Sequence, residues 1–210
     1  MEQNEEVKKT ESAAKKSYGW VIGLVVGLVI LILLIVLGVG CFNKSINSLK
    51  NMGESTKNTS NWTEYNSPDG VFKATFPINP TLKTTTESVP NSDVTFKNDL
   101  YIAEITNAMA YMVNISFYPK DLNFNVDNVL KGALDGMLKT EGNQLVSSTP
   151  TDFNGNKATD YAIKNDKSGV SMKGKIIFVS PNLFQVAIAY RESNYNDSDY
   201  YKFINSFTLK

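Results

Sequence analysis

From Gly19 to Phe42 the chain has no Asp, Glu, Lys, Arg or His, and most of the run is Val, Leu, Ile or Gly. Within it, Trp20 to Gly40 spans 21 residues, the length an α-helix needs to cross a hydrocarbon core of about 30 Å. In lipid a single span satisfies its own backbone only as a helix. The sequence therefore predicts four parts: a short cytoplasmic tail at 1–18, a transmembrane signal-anchor helix at 19–42, a flexible stalk at 43–61 and an extracytoplasmic domain at 62–210.

Orientation comes from the flanks. Lys8, Lys9, Lys15 and Lys16 precede the span, and Lys44, Lys50 and Lys57 lie beyond it, more loosely spaced, a slight positive-inside bias. With so short a segment ahead of it, the run resembles an uncleaved signal-anchor that exports the C-terminal part of the chain. The expected location is the cell membrane, single-pass, with the C-terminal domain outside. Val39-Gly40-Cys41 leaves two readings open. One is the end of a bacterial lipoprotein signal, with Cys41 as the lipidated first residue. The other is a small apolar residue at a membrane boundary. The apolar run exceeds the roughly 7–15 residues of a cleaved signal core, and the tail before it is neutral rather than basic. Both readings anchor the domain. Gly19, Gly23 and Gly27 recur every four residues and share one helix face. Such a face lets a second helix approach closely, so self-association through the span is one expectation; the plain frequency of glycine in transmembrane helices is the other.

Composition narrows the chemistry. The 21 Lys+Arg balance the 21 Asp+Glu, so the strong basic excess of nucleic-acid binding is missing. There is no histidine and one cysteine. That excludes Ser-His-Asp and Cys-His catalysis, histidine- or cysteine-clustered metal centres and an internal disulfide. No cofactor or metal ligand set is read. The stalk, rich in Asn, Ser, Thr and Lys, has too few apolar residues to fold alone.

The domain from Trp62 onward shows strand signals. Trp62 to Asn66 and Val71 to Phe76 flank the turn Ser67-Pro68-Asp69-Gly70. Thr81 to Val89, β-branched and polar, reads as an edge strand; Val94 to Lys97, Leu100 to Thr106 and Ala110 to Tyr118 come next. The period then changes: Val126, Val129, Leu130, Ala133, Leu134, Met137 and Leu138 fall at helical steps, with Asn125 or Asp127 as cap. Strands at Gln144 to Thr149, Lys157 to Lys164, Val170 to Val179 and Leu183 to Arg191 lead to a short helix capped by Asp197 or Ser198. Sequential hairpins without βαβ alternation predict α+β, an antiparallel sheet covered by helices.

Tyr65-Asn66-Ser67-Pro68-Asp69-Gly70-Val71-Phe72, with Phe76-Pro77 and Pro80 after it, is similar to the opening of PsbP-like domains. Tyr201-Lys202-Phe203-Ile204-Asn205-Ser206-Phe207, after a strand of alternating aromatics, resembles the ending of that family. These are the domains of the photosystem II extrinsic subunit and its bacterial relatives. The resemblance implies a non-catalytic domain that docks on, stabilises or helps assemble a partner.

Few residues suggest reaction chemistry. Ser12 and Lys15 have Ser-x-x-Lys spacing, but in the tail. Ser171 and Lys173 share a strand face, and Asp197 and Asp199 sit at a helix start, where the dipole accounts for them. Glycosylation sequons occur at Asn43, Asn58, Asn61, Asn114 and Asn196, as expected of so Asn-, Ser- and Thr-rich a chain. No catalytic residue is assigned. The expected function is a membrane-tethered extracytoplasmic binding or assembly module acting by protein docking, with no enzymatic role. The alternative is a carrier or sensor for a small hydrophobic ligand, with a pocket between sheet and helix.

Overall fold

Phe72, Ala74 and Phe76 are fully buried and alternate with half-buried Lys73 and Thr75, the pattern of a strand with one face on a core. The computed structural model describes residues 62–89, 94–106 and 109–210. In it this strand is β2 (Phe72–Phe76), antiparallel to β1 (Thr63–Asn66). The turn between them has Gly70 at φ 72°, and the Ser67 hydroxyl accepts from the backbone N–H groups of Val71 and Phe72 at 2.9 and 3.0 Å. The chain continues through β3 (Thr81–Ser88), β4 (Thr95–Thr106) and β5 (Met109–Phe117) to helix α1 (Val126–Leu138). Then come β6 (Asn143–Phe153), β7 (Asn156–Asn165), β8 (Val170–Val179), β9 (Asn182–Tyr190), helix α2 (Asp197–Ser206) and β10 (Thr208–Leu209).

The main sheet has seven strands in the order β3-β4-β5-β9-β8-β7-β6, antiparallel throughout. Two hairpin runs, β3 to β5 and β6 to β9, are joined by α1 and meet where β5 pairs β9. The α+β expectation is met, with one addition. β1, β2 and β10 form a second, three-stranded sheet. It does not extend the first but packs its aromatic face against it. Phe72 meets Tyr101 with ring centroids 5.0 Å apart, and Phe76 meets Phe203 at 5.1 Å.

The main sheet is consequently covered on both sides. On one face Val129, Leu130, Ala133, Leu134 and Met137 of α1 pack on Met112, Ile163, Met172 and Ala187. On the other, the small sheet and α2 close over Tyr111, Val113, Phe184, Val186 and Ile188. α1 starts where the sequence predicts: the Asn125 side chain accepts from the backbone N–H of Asn128 at 3.0 Å. α2 is capped one residue earlier than expected. Asn196, not Asp197 or Ser198, accepts from the backbone N–H groups of Ser198 and Asp199.

The two short strands expected around Asn98-Asp99 are one strand, β4, of 12 residues. Asn and Asp interrupt strands when their side chains compete for local backbone groups. Here both are buried and occupied elsewhere. Asn98 exchanges hydrogen bonds with Asn114 at 2.9 and 3.2 Å and accepts from Ser116 at 2.8 Å, while Asp99 pairs with Lys97 at 2.6 Å. β6 likewise runs through Pro150, because it is an edge strand and need not donate outward.

Among the described residues no helix is long and apolar enough to cross a membrane. The tail, the Trp20–Gly40 span with Gly19, Gly23 and Gly27, the stalk and Cys41 lie outside the described residues.

Candidate functional site

Along the β6 edge, α1 lies over the sheet without closing on it. The space left is a groove of about 520 Å³. Leu130 and Leu134 from α1 form one wall, and Pro150 and Ala158 from β6 and β7 form the other. Ser148, Thr151 and Thr159 add hydroxyls, and Asp127, Lys131 and Lys157 stand at the rim. Lys157 reaches from β7 to the first turn of α1, where its ammonium donates to Asp127 at 2.8 Å. Lys131 pairs with Asp135 one turn along. Both pairs are solvent-exposed, so each contributes at most about 1 kcal/mol. Their net charge cancels, and the rim is polar but neutral.

The interior beneath is filled. Val129, Ala133 and Met137 are at most 1% exposed, so the groove is an open surface feature and not a sealed cavity. A polar pair lies within that interior. Gln185 donates from its amide nitrogen to the Tyr161 hydroxyl, and the hydroxyl donates to the Met172 sulfur at 3.2 Å. Burial pushes the Tyr161 phenol far above its ordinary value.

A second polar arrangement sits at the start of α2. Lys173 donates to the Tyr195 hydroxyl at 2.7 Å and lies 3.5 Å from Asp197. Its ammonium is also held over the rings of Tyr200, Tyr195 and Tyr201, at 4.4, 5.2 and 5.5 Å from their centroids. The Tyr195 hydroxyl donates to Asp197. That bond, with Lys173 nearby, holds the Asp197 carboxyl below its usual value. Burial, then the bond to Asp197, pushes the Tyr195 phenol up.

These contacts decide the sequence-derived candidates. Ser171 and Lys173 do share a face, but Ser171 donates to Glu192 at 2.8 Å while Lys173 is engaged by Tyr195, Asp197 and three rings. They do not form a nucleophile–base pair. Asp197 and Asp199 stand in the first turn of α2 as expected. Among the described residues no group of three or more Cys, Asp or Glu could hold a metal ion. Asn114 of the sequons is 2% exposed and bonded to Asn98, so folding hides it; Asn196 is exposed.

The groove carried no motif. Its one legible signal was Pro150 inside a strand, which marks an edge. That α1 would overhang that edge depends on the crossover from β5, which spacing does not report. The Tyr195, Tyr200 and Tyr201 enclosure of Lys173 was visible only as an aromatic run.

In a comparison with solved structures, the chain is similar to the solution structure of cyanobacterial PsbP (CyanoP) from Synechocystis sp. PCC 6803. The TM-score is 0.48 and the identity 12%, over 76% of this chain and 98% of that one. It is also similar to the crystal structure of PA94 from Pseudomonas aeruginosa, a protein of unknown function described as a putative regulator. There the TM-score is 0.33 and the identity 10%, over 67% of this chain and 88% of that one. No protein-family model and no curated protein matches the chain.

Proposed function

We propose that this chain is a membrane-tethered extracytoplasmic module that binds a partner protein and does no chemistry on it. The observation that carries the reading is the groove between α1 and the β6 edge: apolar walls, a neutral ion-paired rim and a filled core beneath. A protein segment presenting an apolar side chain between polar neighbours fits such a surface. Trp20–Gly40 is the proposed tether, with the tail inside and the domain outside.

A small hydrophobic ligand is the second reading. The groove volume of about 520 Å³ falls within the roughly 300–1,000 Å³ of ligand sites. Its openness along the sheet edge favours a protein segment over a molecule that must be enclosed.

The test places a photo-crosslinking side chain at Ser148 of the full-length chain in its native membranes, with mass analysis of the products. A recurrent protein adduct, lost when Lys157→Glu alters the rim, supports docking. A small-molecule adduct supports the ligand reading and overturns docking. No adduct beyond that of a label at exposed Asp69 overturns both.

A further inference from the structure

We infer that β3 is a second interaction surface, and that its partner is β3 of another copy of this chain. The main sheet has two edges, and they differ. β6 is blunted by Pro150, which has no N–H to offer, and by an irregularity between Leu145 and Ser147. β3 has neither protection. It pairs without interruption with β4 from Thr81 to Ser88, seven of its eight residues are exposed, and its other side has no strand partner among the described residues. Its sequence, Thr-Leu-Lys-Thr-Thr-Thr-Glu-Ser, is β-branched and without glycine or proline.

The two charges on this strand select the partner. Lys83 and Glu87 lie on the same face, two residues either side of Thr85. Neither is ion-paired within the described residues. Four residues apart in one strand, they are separated by about 13 Å and cannot meet each other. In an antiparallel pairing of two β3 strands about a two-fold axis at Thr85, Lys83 of each copy stands opposite Glu87 of the other. Both pairs form at once. Shifting the centre by one residue, to Thr84 or Thr86, sets each charge opposite an uncharged residue. A lone lysine on an edge repels its own copy; a lysine and a glutamate placed symmetrically about the centre attract it.

The axis of such a pair stands perpendicular to the sheet, because facing residues of an antiparallel ladder point to the same side. It therefore keeps both small sheets on one side. Trp62, which packs edge-on against Tyr111 with centroids 5.2 Å apart, lies on that side in both copies. Two chains joined in this way can run into one membrane, as the proposed tether requires. The surface is otherwise independent of the groove, which lies at the opposite edge of the sheet, so either can fail alone.

The test is cysteine cross-linking of the full-length chain in membranes, in a Cys41→Ser background that removes its single native cysteine. Across a two-fold centred on Thr85, Thr85→Cys faces itself at about 4.5–5.5 Å between Cα atoms, within disulfide reach. Copper-phenanthroline oxidation is expected to give a dimer. Lys83→Glu is expected to reduce that dimer roughly tenfold by creating two like-charge pairs, and Lys83→Glu with Glu87→Lys to restore it. Leu82→Cys, about 20 Å from its own copy in this register, is expected not to cross-link. The proposal is overturned by no dimer from Thr85→Cys, by equal dimer from Leu82→Cys, by a dimer indifferent to Lys83→Glu, or by an adduct with a different protein.

Discussion

The amide nitrogen of Gln185 donates to the hydroxyl of Tyr161 in the layer between the main sheet and α1, and the amide oxygen of Gln185 has no partner there among the described residues. A buried polar pair of this kind is sensitive to the loss of one member and tolerant of the loss of both. Tyr161→Phe is expected to destabilise the protein by about 1–3 kcal/mol, since it leaves the Gln185 amide facing only sulfur. Tyr161→Phe with Gln185→Met should cost less than Tyr161→Phe alone. Denaturant midpoints of the three proteins check this; a double variant weaker than the single one rejects the account.

Gly174 of β8 faces Ala187 of β9. A Cβ on Gly174 would lie 2.4 Å from the carbonyl oxygen of Val186 and 2.6 Å from the Ala187 methyl. One of these neighbours is backbone and cannot rotate away. Gly174→Ala is expected to lower stability by about 1–3 kcal/mol through overpacking. An unchanged melting temperature would mean that the strands sit further apart than described.

Asn98 serves two partners, Asn114 and Ser116, buried where β4 pairs β5. Asn98→Ala strands both. The expected loss is about 2 kcal/mol or more, against less than about 0.5 kcal/mol for Thr86→Ala on the exposed strand beside it. Equal effects in chemical denaturation would show that the Asn98 cluster adds nothing.

Asp197 carries the clearest acid-side prediction. Its carboxyl is held below the usual 3.8 by the Tyr195 hydroxyl first, with Lys173 contributing. The folded value thus lies below the unfolded one. The stabilisation is fully present above about pH 4 and is lost as pH falls through the folded value. Tyr195→Phe should move the Asp197 titration upward, read by carboxyl NMR; a titration that stays put excludes the hydroxyl as the cause.

The alkaline side runs the other way. Burial pushes Tyr200 up to about 12 and Tyr111 and Tyr161 higher still. Folded values above the ordinary 10.0 mean stability that is present below about pH 10 and lost as pH rises past it. The phenolate absorbance of these residues is expected to appear together with loss of near-ultraviolet circular dichroism. Phenolate signal from all three in a still-folded protein would contradict their burial.

Legibility in the sequence depended on whether the cause of a feature was local. Hairpin turns and amphipathic periods are local, so Ser67–Gly70, the Thr81 edge strand and α1 were legible from their own residues. Asn98 and Asp99 looked like a break because the partners that neutralise them, Asn114, Ser116 and Lys97, are mostly supplied by pairing. The separate three-stranded sheet was hidden for the same reason: its third strand is only Thr208–Leu209, too short to show a period. The groove was least legible of all, being a gap between elements rather than a property of any one.

β10 pairs with β2, and the Ser206 hydroxyl accepts from the Thr75 backbone N–H across 131 residues of chain. Ribosomes deliver a chain from its N-terminal end, so Phe72 and Phe76 emerge long before Phe203 and Phe207, the rings that cover them. Closure over so long a loop is slow. Until it occurs, that aromatic strand lacks the rings that cover it. The C-terminal segment thus completes the core that the N-terminal hairpin begins.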